Sequence, residues 1–178
     1  SAVLEYLSQY FAITLLYYNP NIAPLEEYQK REAELRRLVS QMKFPHPVEL
    51  LPCQYDGQAF VQAARGLEGE PEGGKRCEAC FRLRLRYAAQ EAARLRFDYY
   101  TTTLSISPMK NAPLLNQLGE EIGREFGVAH LPSDFKKKDG YKRSVQLSKE
   151  YDLYRQDYCG CAFSKAQRQR EKEEREEI

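Results

Sequence analysis

Apolar residues recur along the chain as helical stripes separated by short continuous runs. Val3, Leu4 and Leu7 share one helical face and predict a helix over residues 1–10. Ala12 to Tyr18 (AITLLYY) is instead an unbroken apolar and aromatic run closed by Asn19-Pro20-Asn21, the pattern of a strand buried on both faces. Pro24 suits a helix start, and Glu26 to Met42 reads as a charged helix with Leu35, Leu38, Val39 and Met42 turned inward. Val48 to Cys53 is a short strand with Pro52 at its end, Gln58 to Arg65 a short helix, and Gly66 to Gly74 (GLEGEPEGG) a flexible loop. A long helix over Cys77 to Arg96 carries Phe81, Leu85, Ala88 or Ala89, and Ala92 at helical spacing. Tyr99 to Leu104 has the β-branched and aromatic content of a strand that Ser105 to Pro108 ends. Asn111 to Phe126 is an amphipathic helix lined by Leu115, Leu118, Ile122 and Phe126 and stopped by Gly127. A short strand over Val128 to Leu131, a basic loop over Pro132 to Gly140 and a helix holding Leu147, Tyr151 and Tyr154 follow. Beyond Phe163 the chain reads as a solvated charged helix with no apolar stripe.

Strand and helix alternate throughout, so the simplest architecture is α/β, a parallel sheet with helices on both faces. Ligands in such sheets bind beyond the carboxyl ends of the strands. Those ends are Asn19 to Ile22, Cys53 to Gly57, Leu104 to Pro108 and Leu131 to Asp134. A length of 178 residues suits a single domain, read as residues 1–164 with a charged helical tail over 165–178. No apolar run approaches the roughly 20 residues of a bilayer span, which excludes a membrane-embedded class. The start of the chain lacks signal-peptide features, so a cytoplasmic, reducing location is expected, and five cysteines then point to metal or redox chemistry rather than a disulfide framework.

The net charge of +1 alone argues against a nucleic-acid partner. Its distribution argues the other way. Lys75 to Arg96 holds seven basic and two acidic residues, and Asp134 to Arg155 seven and four. If these segments meet in space they can attract a polyanion. Within the second, Lys136, Lys137, Lys138, Lys142 and Arg143 stand among Phe135, Gly140 and Tyr141, a composition suited either to phosphate contact or to a merely solvated face.

Two cysteine pairs carry the candidate chemistry. Cys77 and Cys80 form a CxxC at a helix start, where unpaired N–H groups and the neighbouring Lys75 and Arg76 favour thiolate. Metal or cluster ligation, dithiol redox chemistry and ordinary half-buried cysteines all suit that spacing. Cys159-Gly160-Cys161 is a CxC, whose disulfide would close a small, strained and exchangeable ring, with Gly160 supplying backbone freedom. It could equally join Cys77 and Cys80 in one four-cysteine site. Cys53 stands alone at a strand end and reads as a buried small hydrophobe, and His46 and His130, with no partner at ligand spacing, read as structural or surface residues. GxSxG, HExxH and GxGxxG patterns are missing, which disfavours the common hydrolase and nucleotide-binding readings.

Taken together, YNPNI at Tyr18 to Ile22, RCEACFRLRL at Arg76 to Leu85, FDYYTTTLSISPMKN at Phe97 to Asn111, DFKKKDGYKRSVQLSKEY at Asp134 to Tyr151 and YRQDYCGCAFS at Tyr154 to Ser164 resemble the iron-sulfur epoxyqueuosine reductases of the QueH type. The resemblance runs over nearly the whole chain up to the tail. It implies a Rossmannoid, nucleotide-hydrolase-like (HUP-type) sheet and the last step of queuosine biosynthesis, reduction of epoxyqueuosine at the wobble position of a tRNA with loss of the epoxide oxygen as water. It further implies a [4Fe-4S] cluster with Cys77 and Cys80 among its ligands and two adjacent cysteines expected just before Ser1, a further metal ion near it, and Cys159 and Cys161 as a redox-active pair fed by an unidentified electron donor. The implied partner is tRNA carrying epoxyqueuosine in its anticodon loop, with no membrane partner; Lys136, Lys137, Lys138, Lys142 and Arg143 would hold loop phosphates. Two other readings remain open on the residues: an ATP-dependent tRNA-thiolation-type enzyme, and a zinc-stabilised RNA-binding module.

Overall fold

A computed structural model describes residues 1–176. The last residues of the predicted tail, 177 and 178, lie outside the described ones. The chain runs α1 (Ala2–Leu7), β1 (Ile13–Leu16), α2 (Leu25–Gln41), β2 (Val48–Leu51), α3 (Gly57–Ala63), α4 (Lys75–Arg94), β3 (Tyr99–Tyr100), a 3-10 turn (Thr103–Ile106), α5 (Ala112–Phe126), β4 (Ala129–His130), α6 (Gly140–Glu150) and α7 (Ala162–Glu176). The alternation read from the sequence is present, and the class is mixed α/β with short parallel strands.

The helices follow their apolar stripes. Phe81, Leu85, Ala89 and Ala92 of α4 meet Leu115, Leu118 and Ile122 of α5, with Tyr100 and Val128 closing the main core. These positions recur every three or four residues and therefore fall on one face of each helix. Asn111 caps α5 through its side chain, which accepts the Leu114 N–H at 3.1 Å, and Gly127 ends it in the left-handed region at φ 70°. No helix among the described residues is long and apolar enough to cross a membrane.

The strands are shorter than the apolar runs suggest, and they pair two by two. Ile13–Leu16 lies parallel to Val48–Leu51, and Tyr99–Tyr100 parallel to Ala129–His130. Tyr99 to Leu104 stops early as a strand because the Thr102 hydroxyl accepts the Leu104 N–H and turns the chain into the 3-10 segment. Between β1 and β3 runs a groove of about 500 Å³, lined by Ile13 to Leu16 on one side and Tyr99 to Thr103 with Leu131 on the other. β1 is consequently half-buried along its length rather than enclosed on both faces.

The loop over residues 66–74, expected to be flexible, is organised around a buried cation. Arg76, 4% exposed, donates to the carbonyls of Leu67 at 3.3 Å, Glu68 at 2.9 Å and Glu70. Its guanidinium also covers the Phe163 ring, 4.4 Å from the centroid. The loop is thereby folded over the start of α4 and tied to α7.

A candidate cysteine centre

α4 presents Cys77 and Cys80 from its first two turns, and the loop before it leans on the first of them, since the Gly73 N–H donates to Cys77 Sγ at 3.2 Å. The Cys159-Gly160-Cys161 turn is brought against them from the far end of the chain. Arg31 on α2 donates to the carbonyls of Cys159 and Tyr158 at 3.2 and 3.4 Å, and the Gly160 carbonyl accepts the Ala23 N–H at 3.0 Å. Gly160 sits at φ 119°, and a Cβ there would stand 2.8 Å from Ile22 and 3.0 Å from Arg31, so this residue has to be glycine.

All four paired cysteines line one small cavity of about 20 Å³, together with Asn21, Arg84 and Lys110. Cys80 is buried, which pushes its thiol up to about 11. Cys159 is different: the hydrogen bond from Cys161 holds it well below the usual thiol range despite its burial, with Lys110 and Arg84 adding to the effect. Cys161 is raised correspondingly by giving that hydrogen bond and by burial. The pair thus shares one proton, with Cys159 as its thiolate member. Lys110 loses some stability as a cation through burial, but Cys159 and Glu72 outweigh this and raise its pKa.

All five cysteines are free thiols in the structure. Among the described residues no three His, Cys, Asp or Glu side chains are gathered closely enough to hold a metal ion. The donor chemistry at Cys77 and Cys80 nevertheless fits part of a thiolate ligand set: two sulfurs one helical turn apart, a backbone N–H on one of them, and cations at Arg84 and Lys110 beside them. Asn21, 3% exposed, has no partner for its side-chain oxygen, and the Arg84 Nε is also without one. Both face the cysteine cavity.

Sequence reading did not single out Lys110, Glu72, Ser164, Asn21 or Arg84. Four of these fall inside the quoted motifs, but Glu72 lay in a stretch read as flexible and carried no signal. His46 is exposed, with its Nδ1 2.9 Å from the Ser8 carbonyl, and His130 packs edge-on to Tyr100. Cys53 stands apart, its sulfur 4.0 Å from the Tyr87 hydroxyl.

The chain belongs to the QueH family. The family described as epoxyqueuosine reductase QueH matches residues 1–167. Proteins named epoxyqueuosine reductase QueH are 45% identical in Streptococcus pyogenes serotype M1 (90% of this chain, 64% of the relative), 41% in Staphylococcus epidermidis (90% and 69%) and 37% in Thermotoga maritima (85% and 79%). The chain therefore spans about two thirds of the length of the first two of these QueH relatives.

The basic segments are less free than their composition suggests. On α4, Arg82 and Arg86 pair with Glu121 and Glu125 of α5 at 2.9 and 2.6 Å, and Arg94 pairs with Glu91. In the second segment Lys136 and Lys137 both lie against Asp134, at 2.6 and 3.5 Å. Arg143 grips Glu5 through two nitrogens, at 2.6 and 2.8 Å, and reaches Glu150 at 3.0 Å, so it ties α6 to α1. Lys138 and Lys142 are exposed and form no ion pair among the described residues.

Proposed function

We propose that this chain performs the reaction named for its family: reduction of the epoxide of epoxyqueuosine at the wobble position of a tRNA, giving queuosine and water at the expense of two electrons and two protons. The observation that carries the reading is the convergence of two cysteine pairs, more than 75 positions apart in sequence, on one cavity beside two cations. A dithiol that can hold two electrons next to thiolates that can hold a metal cluster is the donor set such a reduction calls for.

In this reading Cys77 and Cys80 hold part of a [4Fe-4S] cluster, with further ligands from the paired cysteines that the resemblance implies before Ser1. When bound, the cluster would supply electrons singly and Lewis acidity toward the epoxide oxygen. Cys159 and Cys161 store the electron pair, with Cys161 keeping a proton while Cys159 carries charge. Arg84 and Lys110 offset negative charge in the cavity, and the unpaired Asn21 oxygen offers an acceptor to a hydroxyl of the bound nucleoside.

The tRNA would be held by its loop phosphates at Lys137, Lys138 and Lys142, where the charge is most exposed, with Lys136 and Arg143 largely committed to Asp134, Glu5 and Glu150. The wobble nucleotide sits in a single-stranded loop and can be splayed into a pocket without opening a duplex. A cytoplasmic location goes with a tRNA substrate. The groove between β1 and β3, lined by both strands, supports one more strand joining the two pairs into the expected Rossmannoid sheet, with residues 1–164 as one catalytic unit and 165–178 as an appended charged tail.

The test is an anaerobic assay of epoxyqueuosine-containing tRNA with a chemical reductant, read by nucleoside mass spectrometry. Conversion to queuosine that requires Cys159 and Cys161 supports the reading, and its absence in cluster-loaded protein overturns it. The convergence of all four cysteines also favours a second reading, a single four-cysteine metal site. Loss of the bound metal in Cys159→Ser and Cys161→Ser would decide for that one.

A further inference from the structure

The two sulfurs of the CxC have unlike surroundings. Cys161 is 6% exposed, packed with Phe60, Ala64 and Cys80, and its Sγ accepts the Ser164 N–H at 3.3 Å. Cys159 is half-buried, and its Sγ lies 3.5 Å from Lys110 Nζ. The Lys110 side chain is only 9% exposed, and its ammonium has a second partner in Glu72 Oε1 at 3.2 Å. The other oxygen of Glu72 accepts the Ser164 hydroxyl at 3.1 Å, and the Ser164 oxygen in turn accepts the Cys159 N–H at 3.2 Å. Lys110, Glu72, Ser164 and Cys159 thus close a ring that joins the loop before α4, the loop before α5 and the first turn of α7.

We propose that Lys110 is the positioning residue of the CxC pair: its ammonium, shared between Glu72 and Cys159 Sγ, makes Cys159 the sulfur through which the pair exchanges electrons with a dithiol reductant. The inference rests on the reading of the pair as redox-active. A thiolate of the dithiol attacks Cys159, the less buried residue of the pair. A mixed disulfide forms and Cys161 leaves, beside the Ser164 N–H, and takes up a proton. The second thiol of the dithiol then attacks its own bridged sulfur, forming the reductant's internal disulfide and expelling Cys159 as a thiolate against Lys110. Two electrons pass to the pair; one proton of the dithiol ends on Cys161 and the other goes to solvent. A cation at the departing sulfur speeds that second step and favours the reduced pair, because a better-stabilised thiolate is a better leaving group.

Glu72 competes with Cys159 for the same ammonium, and this makes the device separable from a structural clamp. Lys110→Met and Glu72→Gln break the same ring yet remove charges of opposite sign. In the anaerobic, reduced chain, alkylation of Cys159 by iodoacetamide at pH 4, below its own pKa of about 5, resolved from Cys161 by fragmentation mass spectrometry, should slow about tenfold in Lys110→Met, the effect of one pK unit. It should quicken in Glu72→Gln and stay near the parent rate in Lys110→Arg. Equilibrium with dithiothreitol buffers should move about tenfold toward the disulfide in Lys110→Met, a fall of about 30 mV in potential. Changes in the same direction for Lys110→Met and Glu72→Gln, or none in Lys110→Met, overturn the proposal. A parent chain that forms no Cys159–Cys161 disulfide in any buffer overturns the redox reading instead, and the alkylation rates still decide whether Lys110 acts on Cys159.

Discussion

Arg76 offers the most informative single perturbation, because it joins the stability of the loop over residues 66–74 to the state of the cysteines. In Arg76→Met, the carbonyls of Leu67, Glu68 and Glu70 lose their common donor, and Phe163 loses the guanidinium over its ring. A charge-assisted hydrogen bond in a dry interior contributes about 1.5 to 3 kcal/mol, but Glu68 is exposed and water replaces part of each bond, so about 0.5 to 1 kcal/mol apiece is appropriate. The ring contact adds about 1 kcal/mol. Against this, the Arg76 Nε has no partner, and its desolvation cost disappears with the arginine. The net expectation is a loss of about 2 to 3 kcal/mol, read as a lower urea midpoint with little change in slope. The loop also supplies the Gly73 N–H to Cys77 and Glu72 to Lys110, so the amides of residues 67–74 should exchange faster in the variant and Cys77 should alkylate faster. Arg76→Lys should recover only part of the stability: all three carbonyls are met by one nitrogen, Nη1, which an ammonium can imitate, but the planar guanidinium over the Phe163 ring is lost. A loss below about 1 kcal/mol together with unchanged exchange over residues 67–74 would refute the claim that Arg76 organises the loop.

Cys77→Ala or Cys80→Ala should abolish stable iron-sulfur incorporation, seen as loss of the brown absorbance, whereas Cys159→Ser and Cys161→Ser should keep the absorbance and lose turnover. Replacing Lys138 and Lys142 together by Ala should flatten the log-log salt dependence of tRNA binding by about 1.4 to 1.8 units, while Arg143→Ala should leave the slope unchanged and lower the melting temperature by loosening α6 from α1. His130, whose pKa is lowered by burial, binds its proton more weakly folded than unfolded, so stability should decline as pH falls past the unfolded value near 6.5; a denaturation series in His130→Leu should lack that component.

What could be read from the sequence was whatever repeats locally. The stripes Phe81, Leu85, Ala92 and Leu115, Leu118, Ile122 announce α4, α5 and their mutual face because a helix of 3.6 residues per turn puts them there in any fold. The Asn111 cap and the Gly127 stop are local for the same reason. Strand pairing is not local. Nothing in AITLLYY says that only Ile13–Leu16 finds a partner, because the pairing depends on Val48–Leu51 and on what borders the groove. The cysteine pairs were visible as spacings, yet their meeting depends on Arg31 holding the carbonyl of Cys159 across 128 positions.

Charge was the least legible quantity, and the reason is physical. Seven basic residues between Lys75 and Arg96 look like a phosphate-binding face until Arg82 and Arg86 are found 39 positions away from the glutamates that neutralise them, and until Arg76 turns inward onto its own loop. A carboxylate within 3 Å cancels a cation's field beyond about a Debye length of 8 to 10 Å, so the segment's formal charge overstates what a polyanion would meet. The converse holds in the cavity. Lys110 and Arg84 were inconspicuous in sequence, but there the surroundings are poor in water, screening is weak, and a single ammonium 3.5 Å from Cys159 Sγ biases which of two sulfurs carries the negative charge. The functional weight of a cation in this molecule therefore follows its desolvation and its partner, and the dense basic runs are the poorer guide to where the chemistry lies.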